Sequence, residues 1–184
     1  MPLTTIPLPY GLRDLKVTSY TTPAATVLAT PSIDFPYART LAFAEAEEYE
    51  ELRGDDKVVT TRGRGPQVEW EMEGGGFSFE AYKAIAGGTI TDSGVTPAQK
   101  RSFKKKGTDS RPFFQAEGQS ISDSGGDFHG VLFRCRATGN LEGTMADGAF
   151  WLTGVSGVAL PSFVTAGLDD LYEFVQNETA VAIT

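Results

Sequence analysis

The sequence predicts an all-β protein, a β-sandwich or barrel with one short flanking α-helix and a long β-hairpin. Three observations carry this. Twenty-one glycines and ten prolines in 184 residues divide the chain into short runs separated by turns. Apolar residues alternate with polar ones, most clearly where Val68, Trp70 and Met72 interleave with Glu69, Glu71 and Glu73. Only Phe77 to Ala86 repeats at helical spacing, so helices are the exception.

The length suits one domain over residues 1–184, with chain enough for a sizeable core. A hydrophobic content of 40% and a charged content of 22% are ordinary for a globular protein. The net charge of −8 argues against wrapping nucleic acid over the whole surface, but not against letting it slide past. Cys135 and His129 are the single residues of their kinds, so no internal disulfide and no Cys/His zinc cluster can form. No cofactor is expected. The start, MPLTTIPLPYG, lacks a basic, apolar leader, and no run reaches the ~20 apolar residues of a membrane helix. Synthesis in a reducing cytoplasm, with no membrane partner, is the expectation.

In chain order, residues 1–11 are proline-rich and read as an extended arm. Leu12 to Tyr20 reads as a strand with Leu15 and Val17 on one face. Pro23, Pro31 and Pro36 then leave room for one short strand around 26–30. The hairpin occupies 41–73, turning at Arg53-Gly54-Asp55-Asp56. With a four-residue tip, facing residues have numbers summing to 109. Glu45 then opposes Arg64, Glu47 opposes Arg62 and Leu41 opposes Val68. Each opposite-charge pair contributes roughly 0.2–1 kcal/mol. The hairpin carries ten acids against four bases, a net −6 within the chain's −8. Two strands alone bury too little, so it must lie on the rest of the protein or on another copy.

Gly74-Gly75-Gly76 ends that strand, and the helix 77–86 follows, capped by Ser78, with Phe79, Tyr82 and Ile85 on one face and Gly87-Gly88 as its stop. Strands are expected at 96–103 and 113–120, around a basic segment, with a turn at 122–127. In the next strand Val131, Phe133, Cys135 and Ala137 are expected to face inward. Asp147-Gly148 marks a two-residue hairpin turn between 141–146 and 149–155. Residues 161–167 read as loop, and 171–183 as a last strand interrupted near Asn177-Glu178.

Candidate chemistry is thin. His129 follows Asp127 in the manner of a triad, but no Gly-x-Ser-x-Gly elbow exists, so a strand residue is the default. Cys135 reads as a small buried hydrophobe. The glutamate pairs imitate a glycosidase dyad but lie along strands rather than across a cleft. Arg62-Gly63-Arg64-Gly65 precedes no helix with a Lys-Ser/Thr, and Arg53-Gly54-Asp55 is explained as turn chemistry. An enzyme is therefore not expected. Residues 100–111, KRSFKKKGTDSR, carry six bases and one acid. Three readings apply: a nucleic-acid patch, a solvated loop, or a complement to the acidic hairpin of an identical copy meeting it head to tail. On the third reading, Arg53, Asp55, Asp56 and Lys57 at the tip and Lys104, Lys105 and Lys106 in the basic segment make contacts between subunits or between rings.

The ordered phrases RGDDKVVTTRGRGPQVEWEMEGGGFSFEAYKAIAGG, DSRPFFQAEGQSISDSGGDFH and LEGTMADGAFWLTGVSG resemble the major tail tube proteins of long-tailed, siphovirus-type bacteriophages, particularly those of actinobacterial hosts. The resemblance spans most of 37–178 and carries over no active-site residues. It implies a β-sandwich or barrel with a flanking helix, assembling with itself into hexameric rings that stack as a hollow tube. The implied partners are a tape-measure protein, a tail terminator and the baseplate or distal tail proteins. Viral DNA is implied to pass down the bore without sticking, in a virion tail made in the host bacterial cytoplasm. A ring-forming tube protein of a contractile injection system and a carbohydrate-binding β-sandwich are the alternatives.

Under the 109 register Glu48 and Glu50 share a face with Glu69, Glu71 and Glu73, together with Ala42, Ala44, Ala46, Gly63 and Gly65. That smooth acidic face is expected to look into the bore, where it would repel phosphate. A bulge between Gly63 and Pro66 would shift the register and exchange the faces.

Overall fold

The structure, a computed structural model, describes residues 5–183. The first four residues of the expected N-terminal arm lie outside them. Beyond residues 5–8 the chain is already in a strand, β1 (Pro9–Ser19), three residues earlier than expected. The other strands are β2 (Ile33–Asp34), β3 (Ala38–Gly54), β4 (Lys57–Gly75), β5 (Thr89–Ser93), β6 (Lys100–Lys104), β7 (Phe114–Ser122), β8 (Asp127–Arg136), β9 (Leu141–Gly143), β10 (Leu152–Ala159) and β11 (Tyr172–Asn177); among the described residues there is one α-helix, α1 (Phe79–Ala86), after β4, and a short 3-10 turn at Thr165–Gly167. The fold is all-β. Nine strands form one antiparallel sheet in the order β2-β1-β7-β8-β10-β4-β3, with β11 beside β8 and β9 beside β10, while β5 and β6 form a separate ribbon.

Strand alternation places the core. Leu15 and Val17 of β1, Val68, Trp70 and Met72 of β4, Phe114 and Ala116 of β7, and Val155 and Ala159 of β10 are all buried in one cluster. Each large member contributes about 1.5–3 kcal/mol on burial. The sheet curls so that its ends face each other. Leu41 on β3 reaches Gly118 on β7, where an added Cβ would stand 2.7 Å from the leucine tip. Trp70 meets Phe114 edge-on, with ring centres 5.5 Å apart.

In β8 the alternation breaks. Arg134 has a φ of +36°, and the β7–β8 register slips between Phe114↔Cys135 and Ala116↔Leu132. The slip corrects the expected inward series. Cys135 and Ala137 are core residues, but before the slip the core residue is Leu132, while Val131 lies outside that cluster. Cys135 is fully buried, and burial pushes its thiol well above the ordinary range.

The helix starts where expected in kind: the Ser78 hydroxyl accepts from the Ala81 N–H at 3.3 Å, a cap worth about 1 kcal/mol. Gly87, at φ +73°, ends it. The expected inward face is corrected. Ala81, Ala84 and Ile85 face the core, because small side chains let the helix approach closely, while Phe79 and Tyr82 are only partly buried. These two join Phe77 in an aromatic flank, with Phe77–Tyr82 centres 4.4 Å apart and Tyr82–Phe103 centres 5.8 Å apart.

Other boundaries moved. The strand expected at 96–103 is the shorter β6, and its partner β5 was not anticipated. The short strand expected near residue 28 is a single bridge, Tyr20↔Leu28, followed by β2. Around Asp147-Gly148 pairing stops at Gly143 and resumes at Leu152, since Trp151 folds over Gly143 and donates to Thr153 Oγ1 at 2.9 Å. The tail leaves the sheet after Asn177, where an interruption was expected, but residues 178–183 do not return to strand.

Candidate assembly surface

The hairpin of β3 and β4 is built as two unlike halves. At its base Leu41 pairs with Met72, Phe43 with Trp70 and Glu45 with Val68, so numbers sum to 113. In the middle Glu48 pairs with Arg64 and Glu50 with Arg62; at the tip Gly54 pairs with Lys57. The tip is therefore a two-residue turn. Asp55 and Asp56 both have positive φ, +50° and +59°, as a type I′ turn requires. Extra residues then accumulate at Val59 and at Gly65–Pro66 on β4, each moving the register by one.

These bulges overturn the expected pairs Glu45–Arg64 and Glu47–Arg62. Glu45 instead accepts from the Tyr172 hydroxyl at 3.0 Å, and Glu47 folds over Gly63. The bulge foreseen at Gly63–Pro66 is present, yet the base keeps its faces, because 113 and 109 are both odd. Ala42 lies beside Glu71, Ala44 beside Glu69 and Thr40 beside Glu73. On β10, Ser156, Val158 and Gly154 continue those three rows. A shallow depression of about 440 Å³ lies here, lined by Ala42, Ala44, Glu69, Glu71, Ser156 and Gly157.

Glu48 and Glu50 follow Ala42, Ala44 and Ala46 on the same side of β3, so the five acids do share a face. The correction is that Arg62 and Arg64 stand opposite them there, while Gly63 pairs with Tyr49 on the other side. Lys57 is thus not the only base on that face. Arg64 comes within 3.9 Å of Glu50, and Arg39 pairs with Glu73 at 3.0 Å. Glu48, Glu69 and Glu71 have no ion pair among the described residues.

Every residue from 47 to 62 is exposed, including Tyr49, Leu52, Val58 and Val59. The outer half is left uncovered by the described residues. At the tip Arg53 donates to Glu51 at 2.7 and 2.9 Å, while Asp55 and Asp56 make no ion pair among the described residues. β3 is also the last strand of the sheet, so its outer edge has no partner strand among the described residues.

The basic segment is partly consumed inside the chain. Arg101 pairs with Glu80 at 2.7 Å and Asp92 at 3.1 Å. Lys105 donates to the Ala86 carbonyl at the end of α1 and to the Asp109 carbonyl. Arg111 donates to the carbonyls of Ala137 at 3.0 Å and Gly139 at 2.6 Å. Lys104 and Lys106 are exposed without ion pairs among the described residues.

Two polar groupings escaped sequence reasoning. On the outer face of β7 and β8, His129 lies between Glu117 Oε1 at 2.7 Å and Asp127 Oδ2 at 3.0 Å. Both ring nitrogens are thus held by carboxylates, and among the described residues no hydroxyl or thiol hydrogen-bonds to them. Burial pulls the imidazole pKa down, but the two acids outweigh it and the net shift is upward. Asp127 also accepts from Gln119 at 2.5 Å, Asn177 at 2.8 Å and the Val181 N–H at 2.8 Å. Burial raises its pKa, yet these donors and His129 hold it well below the ordinary carboxylate range. The network binds the tail across the sheet, aided by Lys16 donating to the Ile183 carbonyl at 2.7 Å. The alternation Asp127–His129 hinted at it; the partner Glu117 needed the register.

The second grouping is a ladder at the far end of β8. The Arg134 guanidinium lies 3.7 Å from the Phe163 ring centre and 5.3 Å from that of Phe113, which Arg136 approaches at 5.0 Å. Nothing in the sequence brings residues 113, 134 and 163 together.

No family model matches this chain, and no significant match was found among curated proteins. No helix of the described residues is long and apolar enough to cross a membrane.

Proposed function

We propose that this chain is a structural subunit that assembles with itself into hexameric rings, stacked as the hollow tail tube of a long-tailed bacteriophage. The observation that carries the reading is the hairpin. Strands of seventeen and nineteen residues extend beyond the body, with every residue from 47 to 62 exposed and an open strand edge alongside. Exposed apolar side chains there gain burial only from another molecule. A second copy supplies both the missing strand edge and the missing cover, and closure of a ring removes the edge altogether.

The acidic rows of β3 and β4 support a bore that DNA crosses without sticking. Screening limits their reach to about 8 Å at physiological salt, so repulsion acts near the wall. Tape-measure, terminator and distal tail proteins are the proposed partners, and the virion tail is the proposed location. The reading uses no catalytic group and no cofactor. Gold-labelled antibody raised against the chain should decorate a phage tail at regular intervals along its length. Decoration confined to a tail end, to the capsid or to a non-viral particle would overturn the proposal.

A further inference from the structure

Arg134 is only 9% exposed, and its Nε has no acceptor among the described residues. Neither Arg134, Arg136 nor Arg111 forms an ion pair among them. Burying a guanidinium without an anion is costly, and stacking on aromatic rings offsets only part of it. Beside this ladder lies a cleft of about 430 Å³, lined by Tyr20, Thr22, Ser110, Arg111, Phe113 and Arg136. Its charged lining, Arg111 and Arg136, is wholly basic, while Arg134 and the 47% exposed Phe163 belong to the ladder and not to that lining. Arginine beside an exposed aromatic ring is the composition of a protein contact, and the planar guanidinium suits a carboxylate held by two hydrogen bonds.

We propose that this cleft receives a carboxylate from the hairpin of a second copy of the chain. The inference rests on the self-assembly reading above and names one contact within it. Charge complementarity selects the occupant. The chain carries −8 overall, and Glu47, Glu48, Asp55 and Asp56 are exposed without ion pairs among the described residues. They lie on the part of the chain that has no cover of its own. A nucleic-acid phosphate has similar chemistry, but the net negative charge opposes its approach.

The test is sedimentation velocity of the full chain over a range of concentration and salt, with circular dichroism melts to confirm folding. Arg136→Glu and, separately, Arg136→Gln, both on the cleft lining, should each weaken self-association by about tenfold or more, the scale of one lost charge-assisted contact. Mixing Arg136→Glu with Glu47→Arg/Glu48→Arg should restore association that neither shows alone. Unchanged association, or a loss that mixing does not restore, overturns the inference. So does binding of a single-stranded oligothymidylate that depends on Arg136. Rings that persist with Arg136→Glu would remove the cleft contact and leave the tube reading. Association into non-ring oligomers that Arg136→Glu abolishes would keep the contact and remove the tube.

Discussion

Glu50 and Arg64 lie on one face of the hairpin, their nearest charged atoms 3.9 Å apart and both side chains about four-fifths exposed. Such a pair adds little stability, but it lowers the charge of that face in the outer half of the hairpin. Of the acids on that face without an ion pair among the described residues, Glu69 and Glu71 lie nearer the base than Glu48. Lysine at both positions should change the stability of the free chain by less than about 0.5 kcal/mol, because both are exposed. Tubes should still form, and DNA release from the particles should slow. Release at the parental rate would show that this face does not line the bore.

The outer hairpin should be ordered by its neighbours. With residues 47–62 exposed, its ladder hydrogen bonds are open to water on both faces in the free subunit. Amide exchange there should be fast in the subunit and slow in assemblies. Equal protection in the two states would count against the hairpin as a contact.

The His129 network gives a pH dependence of definite sign. His129 has a raised pKa, so the stability it contributes is complete below the ordinary value of about 6.5. That contribution is lost as pH rises through the folded value. Asp127 is depressed, so its contribution is present above the ordinary value of about 3.9 and lost as pH falls through the folded one. Denaturant titrations from acid to alkaline pH should show wild-type stability falling on both sides. His129→Gln should flatten the alkaline fall. Asp127→Asn should lower neutral stability by about 3 kcal/mol, since it leaves His129 and three other donors without their anion. The amide of Val181 should then exchange faster.

Gly157 on β10 lies tight against its neighbours. A Cβ there would run into the Arg136 carbonyl and stand 2.6 Å from the Trp70 ring. Gly157→Val should cost about 1–3 kcal/mol by overpacking, read as a lower denaturant midpoint with unchanged slope. Gly154, three residues earlier on the same strand with open space at its Cβ position, should accept alanine with little change.

The faces of the hairpin base were legible because Val68, Trp70 and Met72 must be buried while Glu69 and Glu71 cannot be. The pairing was not. A two-residue turn with both aspartates at positive φ shifts the ladder, and so do bulges at Val59 and Gly65–Pro66, which also switch the residues of β4 that share a face. The helix was legible by its cap and stop, but its inward side went to alanines, since close approach to the sheet outweighed aromatic size. The Arg134 ladder was hidden for a different reason. A positive φ at Arg134 turns the strand, and the contact joins residues fifty apart, Phe113 and Phe163, which no local pattern relates.

Electron microscopy of the concentrated protein tests the central claim most directly. Rings of six subunits, stacking into hollow tubes with a continuous bore, are the predicted result. A population of single subunits at every concentration and salt would contradict it.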